Sequence, residues 1–211
     1  MLRAILASGL VVALAHTPTA SAQPGMGLGG TDGGGANPPR PPSITSIDAE
    51  QVPGQKFRIH GSVDDDTPAT CGVVISGAAN GIAMCDANGN FDVTLSVPVP
   101  GNITAVPGDG MHTGQARALE LKNIAPTVSV IAVQGPNNTW TFRGTVGDEC
   151  PAGLPVVLSG PAGVNGQTAT AGVGGAWSIT LTLAPSASGS VTATVTDWYG
   201  LTGSGYTSFG S

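Results

Sequence analysis

FRIHGSVDDDTPATCGVVISG, residues 57–77, has an echo 83 positions later in WTFRGTVGDECPAGLPVVLSG, residues 140–160. Laid over each other, Ile59 falls on Phe142, Gly61 on Gly144, Val63 on Val146, Asp65 on Asp148 and Pro68 on Pro151. Val73, Val74 and Ile75 then meet Val156, Val157 and Leu158, and upstream Pro53 meets Pro136. Three extra residues enter the second copy after Gly160. The match resumes with NGNFDVTLSV (88–97) on GGAWSITLTL (174–183), and later NITAVPGDG (102–110) on SVTATVTDW (190–198), with Asp109 on Asp197. So many agreements in one order define an internal duplication of units about 80 residues long.

The apolar positions inside each unit fix its secondary structure. Phe91, Val93, Leu95 and Val97 alternate with polar residues, as do Trp177, Ile179, Leu181 and Leu183. Successive side chains of a strand point to opposite faces, so this spacing predicts half-buried strands. Asn88-Gly89 lies between two such runs and supplies the positive φ of a tight turn, with Gly174-Gly175 in its place in the second copy. About seven short strands per unit, punctuated by turn residues, predict an all-β chain of two tandem sandwiches. Each would close its own core between two sheets.

The Gly-x-Val-x-Asp pattern (Gly61-Val63-Asp65 and Gly144-Val146-Asp148), the Pro-Ala after it, the Asn-Gly turn and VTDWYGLT from Val195 carry a resemblance to a family. The chain resembles the tandem immunoglobulin-like repeats of bacterial exported and surface proteins, over about residues 43–209. The resemblance implies immunoglobulin-like β-sandwiches serving as spacers, adhesive modules or presenters of other domains, with no shared reaction. The expected division is a signal peptide over 1–22, a disordered Gly/Pro-rich linker over 23–42, a first repeat over 43–123 and a second over 126–211. NIAP, residues 123–126, is the connection, short enough to restrict motion between the units. The first copy departs from the pattern at AVPGDGMHTG. There Pro107 removes a ladder donor and predicts an edge or irregular strand, and Trp198 has no aromatic counterpart.

Composition agrees with this organisation. Glycine and proline make up about a quarter of the 211 residues, and only 9% are charged. That is a loop-rich β composition rather than charge-driven disorder. The net charge of −6 and pI near 4.7 exclude the basic face that a nucleic-acid partner requires. MLRAILASGLVVALAHTPTASA has one early base, Arg3, an apolar run from Ala4 to Ala15 and a small-residue end at Ala20-Ser21-Ala22. This is the pattern of a cleaved export signal, and the apolar run is too short to span a bilayer. Cleavage after Ala22 would leave six basic and thirteen acidic groups, a net charge of −7. Secretion, the periplasm or the cell surface is therefore the expected location, with no transmembrane segment in the mature chain. Residues 23–42 contain Gly25, Gly27 and Gly30 at dinucleotide-loop spacing. No strand precedes them and prolines follow, so a spacer is expected instead.

Cys71 and Cys85 flank the expected hairpin CGVVISGAANGIAMC. Symmetric closure about Ala78 would oppose them, with Cα atoms about 4.5–5.5 Å apart and within disulfide range. A bridge there would contribute about 3 kcal/mol, and two buried free thiols are the alternative. Cys150 is left over as a free thiol or an intermolecular link. In the second copy the hairpin pair becomes Leu154 and Ala171.

Asp64, Asp65 and Asp66 are the candidate metal ligands. Calcium takes six to eight oxygens from converging groups, whereas adjacent residues seldom all point inward. DANGNFD has its glycine at the fourth position and no glutamate at the twelfth. The second copy keeps only Asp148 and Glu149, and Asp86 is replaced by Gly172. A solvated turn therefore fits better, and no cofactor other than calcium is in question.

His60 and His112 are the only histidines after residue 22, and no nucleophile elbow, metal-binding histidine pair or phosphate loop accompanies them. Trp140, Trp177 and Trp198 suit cores or sheet ends, although an exposed Trp198-Tyr199 would suit a sugar. The leading expectation is a non-enzymatic structural or adhesive protein whose partner is a protein or a surface glycan. A binding module for calcium or polysaccharide comes second and a small hydrolase third.

Overall fold

The computed structural model describes residues 39–210. The expected signal peptide lies outside the described residues, as does the linker up to residue 38. The described chain is all-β, with one turn of 3₁₀ helix at Pro68–Thr70. Seven strands form the first sandwich: β1 (Ser43–Val52), β2 (Lys56–Asp64), β3 (Gly72–Gly77), β4 (Gly81–Met84), β5 (Asn90–Ser96), β6 (Asn102–Gly108) and β7 (Arg117–Glu120). One sheet runs β1-β2-β5 and the other β4-β3-β6-β7, all antiparallel. This three-plus-four arrangement is an immunoglobulin-like sandwich.

The second sandwich repeats the order. Its strands are β8 (Thr127–Val128), β9 (Ile131–Gln134), β10 (Thr139–Gly147), β11 (Pro155–Ser159), β12 (Thr168–Thr170), β13 (Ala176–Thr182), β14 (Gly189–Thr196) and β15 (Thr202–Phe209). β10 takes the place of β2, with β13 on one side and the broken pair β8 and β9 on the other. The opposing sheet runs β12-β11-β14-β15. The break after β8 matches a register shift in β1 between Ile44 and Ser46. Hydroxyls stitch both irregularities: Ser46 to Ser62 at 2.8 Å and Ser129 to Thr145 at 2.9 Å, positions that superpose under the offset of 83.

Two separate cores fill the sandwiches. Ile59, Val63, Val73, Ile75, Phe91 and Ile103 centre the first, and their equivalents Phe142, Val146, Val156, Leu158, Trp177 and Val191 centre the second. The alternation of Phe91, Val93, Leu95 and Val97 holds, with Asp92, Thr94 and Ser96 exposed between them. The extra residues 161–163 do more than lengthen a loop, because Val164 directly after them is fully buried in the second core.

The duplicated glycines have steric causes. A Cβ at Gly61 would run into the carbonyl oxygen of Ser46, and one at Gly144 into that of Ser129, so the first strand could not lie so close. Gly89 and Gly175 have φ of 81° and 75° and face the carbonyls of Val63 and Val146. Their own carbonyls accept the N–H groups of those valines, at 2.8 Å in both copies. The turn thus needs positive φ at one residue, not at both residues of the Asn-Gly or Gly-Gly pair.

A further seam closes each sandwich between its first and last strands. Gly114 packs against the carbonyl of Pro42 in the first. Gly203 and Gly205 pack against those of Pro126 and Val128 in the second, so β8 and β15 run side by side in the same direction.

One strand expectation is corrected. β6, which carries Pro107, is an interior strand between β3 and β7. Pairing with β7 stops at Ala105↔Arg117, before Pro107 is reached. The Pro107 carbonyl accepts from Gly114 N–H at 2.8 Å on that side, so the missing donor faces a place where the ladder has already ended.

Candidate interaction surface at the junction of the sandwiches

The turn between β14 and β15 carries DWYGL, residues 197–201, and its geometry starts from one carboxylate. Asp197 is 6% exposed. Its Oδ1 accepts the backbone N–H groups of Tyr199 at 2.9 Å and Leu201 at 2.8 Å, while its own N–H donates to the Leu201 carbonyl at 2.9 Å. A side chain that satisfies its own turn in this way fixes the apex. Gly200, at φ 87°, lets the chain reverse immediately afterwards.

The two aromatics of the turn then go in different directions. Trp198 points back into its own sandwich, where its Nε1–H donates to the Cys150 carbonyl at 3.1 Å. Tyr199 points across the linker and packs on the first core, its ring 6.4 Å from that of Phe57 and tilted by 41°. Burial raises the Tyr199 phenol pKa, and the nearby Asp197 adds to the shift. A second tie crosses beside it: Asn123, in the linker, donates through Nδ2 to Asp197 Oδ2 at 2.7 Å.

Around this contact lie Gln51, Phe57 and Leu121 at the end of the first sandwich. Gln51 is 7% exposed and both atoms of its side-chain amide lack a partner among the described residues. It borders a cavity of about 340 Å³ to which Phe57, Leu121 and Glu149 also contribute. Asp148 Oδ2, Asn123 Oδ1 and the Tyr199 hydroxyl are likewise buried without partners. Burial raises the Asp148 pKa, with the charges of Glu149 and Asp197 adding to it. The junction is therefore an aromatic contact and one charge-assisted hydrogen bond set in a polar surround.

Of the acids singled out in the sequence, Asp65, Asp86 and Asp148 bond turn amides, whereas Asp64 and Asp66 face Arg40. Asp65 Oδ1 accepts Thr67 N–H at 2.7 Å, and its equivalent Asp148 Oδ1 accepts Cys150 N–H at 2.7 Å. Asp66 takes the Arg40 backbone N–H at 3.1 Å and its guanidinium at 3.4 Å, while Asp64 lies 3.8 Å from the same guanidinium. Asp86 accepts the N–H groups of Asn88 and Asn90, both at 2.8 Å. Among the described residues, no three histidine, cysteine, aspartate or glutamate side chains converge as metal ligands.

Asp109, at the first sandwich's counterpart of the Asp197 turn, accepts from Met111 and His112 N–H, and His112 Nδ1 is 3.2 Å from its other oxygen. Chiefly the His112 N–H, then that of Met111, pull the Asp109 pKa from its ordinary 3.8 down to about 2. A depressed carboxyl adds stability that is complete above the unfolded value and disappears as pH falls through the folded one. Carboxyl NMR should accordingly show Asp109 titrating near pH 2, with the turn loosening below it. A midpoint near 4 would contradict the turn geometry.

Cys71 and Cys85 do face each other: the β3–β4 register centres on Ala78, and Cys85 N–H donates to the Cys71 carbonyl at 3.0 Å. Their expected bridge is not formed in the structure, where both are free, buried thiols. Burial raises the Cys71 pKa to about 11, with Asp65 adding to it. Cys150 is also a free thiol, 6% exposed and so withdrawn from the surface. His60 sits in register between Asp48 and Asp92 on the outer face of the first sheet, where Asp92 and Glu50 hold Arg58. Trp140 and Trp177 belong to the second core. Sequence reasoning found Asp197, Trp198 and Tyr199 as a motif but missed the docking role of Tyr199. The sequence marked Trp198, not Tyr199, as lacking an aromatic counterpart in the first copy.

No family model matches the sequence, and no curated protein matches it. Among solved structures, the D0-D1 domain of intimin shares 18% identity at a TM-score of 0.31, over 80% of this chain and 99% of that one. Fibronectin(III)-like modules of Clostridium thermocellum CbhA share 15% at 0.32, over 80% and 93%. Domains 4–9 of the surface layer protein SbsC share 15% at 0.20, over 79% and 31%. These superpositions are too loose to carry the fold assignment, which rests on strand order and the two cores. The class is thus an immunoglobulin-like double sandwich.

Proposed function

We propose that the chain is an exported structural and adhesive protein, without enzymatic activity, in which the two sandwiches act as one short stiff spacer. The observation that carries this reading is the docking of Tyr199 on the core of the neighbouring sandwich, beside the Asn123–Asp197 bond. A linker this short, pinned by a half-buried aromatic and a hydrogen bond to a carboxylate, limits hinge motion. The geometry gives catalysis little support. His60 and His112 each lie beside carboxylates, and among the described residues neither is hydrogen-bonded to a serine hydroxyl. The carboxylates best placed for calcium already serve turn amides and Arg40.

Residual dipolar couplings measured separately for the two sandwiches test the reading. A stiff spacer gives both halves one shared alignment tensor, unchanged on adding calcium. Two independent tensors would refute it, and a calorimetric calcium signal would move the assignment to the ligand-binding alternative.

A further inference from the structure

The surface that receives Tyr199 in the first sandwich exists a second time. Under the offset of 83, Gln51 and Phe57 correspond to Gln134 and Trp140. Leu121, bonded through its N–H to Gly101, corresponds to Phe209, which pairs with Gly189. At the far end of the second sandwich Trp140 and Phe209 pack edge to face at 5.0 Å. Beside them is a cavity of about 250 Å³ bordered by Gln134, Asn138, Trp140, Ser186 and Ser188. The decisive contrast lies in the glutamines. Gln51 is 7% exposed, whereas Gln134 is exposed.

The inserting element is duplicated as well. Asp109 holds the turn between β6 and β7 through the N–H of the residue two positions on, as Asp197 does with Tyr199. The residue so placed is Met111, 82% exposed. Methionine is a flexible apolar side chain that fills irregular hollows. Charge also permits the match. The turn lies at the acid-bearing end of the first sandwich, with Asp64 and Asp66, while the residues bordering the far cavity are uncharged and offer amides and hydroxyls.

We propose that this far end of the second sandwich receives the Asp109–Met111 turn of a second copy of the chain, so that copies join head to tail. It is the junction already present within the chain, made between chains. Such a contact joins two different surfaces, and unless its rotation closes a ring it produces open rows rather than a closed dimer. A contact made by one turn on one sandwich end belongs among weak and transient ones. Association is therefore to be read at chain concentrations from about 10 μM to 1 mM.

Sedimentation velocity on the full chain is the test. The wild type should show mass rising beyond two chains as concentration increases. Met111→Glu and Gln134→Glu each put a carboxylate into the contact at an exposed position and should weaken association by about tenfold or more. Mixed together, the two variants retain one intact turn and one intact receiving surface between them, so they should form 1:1 dimers and nothing larger. A wild type that stays a single chain at 1 mM would overturn the proposal. So would a dimer that grows no further, or an association that survives both substitutions.

Discussion

A chain with Gly144 replaced by alanine is expected to lose about 3 kcal/mol or more from its second sandwich. The new methyl group must displace the Ser129 carbonyl, and backbone cannot yield as a flexible side-chain tip can. The loss has a convenient reporter, because all three tryptophans, at 140, 177 and 198, lie in that half. Urea unfolding followed by their fluorescence should shift to a lower midpoint. Gly61→Ala should cost the first sandwich a similar amount through the Ser46 carbonyl, visible by circular dichroism. Gly174→Ala is the control, since nothing lies within 4 Å of its added methyl and its φ is not in the left-handed region. It should stay within about 0.5 kcal/mol of the wild type. Equal midpoints for all three variants would mean the duplicated glycine is not sterically required.

Removing the Tyr199 ring should destabilise the half of the molecule to which Tyr199 does not belong in sequence. Tyr199→Ala uncovers Phe57 and the end of the first core, a truncation expected to cost about 2 kcal/mol. For a domain of this size that is on the order of 10 °C in melting temperature. The tryptophan-detected transition should move much less, because Trp198 keeps its bond to the Cys150 carbonyl. Asp197→Asn offers a second probe, as it weakens both the turn amides and the Asn123 tie while leaving the aromatic in place. If Tyr199→Ala left the circular dichroism transition of the first sandwich untouched, the docking of one sandwich on the other would carry no energy.

The doubling, the all-β class and the facing of Cys71 and Cys85 were legible because period-two alternation and a fixed offset are properties of the string itself. The bonds of Asp65 and Asp148 to the amide two residues on follow from local sequence as well, since an aspartate two residues before a free amide has a local partner. Three features were not. Pro107 suggested an edge or irregular strand, yet which of the two depends on where β7 ends, and no local pattern records that. The bridge between Cys71 and Cys85 depends on chemistry beyond register. Gln51 and Gln134 are the same residue at equivalent positions, and one is buried while the other is open. Burial of that kind is set by tertiary surroundings, which no local pattern records.

The seam between β8 and β15 bears on how this molecule would respond to tension. Because the opening and closing strands of the sandwich lie alongside each other and run the same way, traction on the two ends of the chain would slide one past the other. Sliding strains every close approach of glycine to carbonyl along that line together, whereas peeling would part them singly. A sandwich built this way should hold until much of the seam gives together, then release its length in one abrupt step.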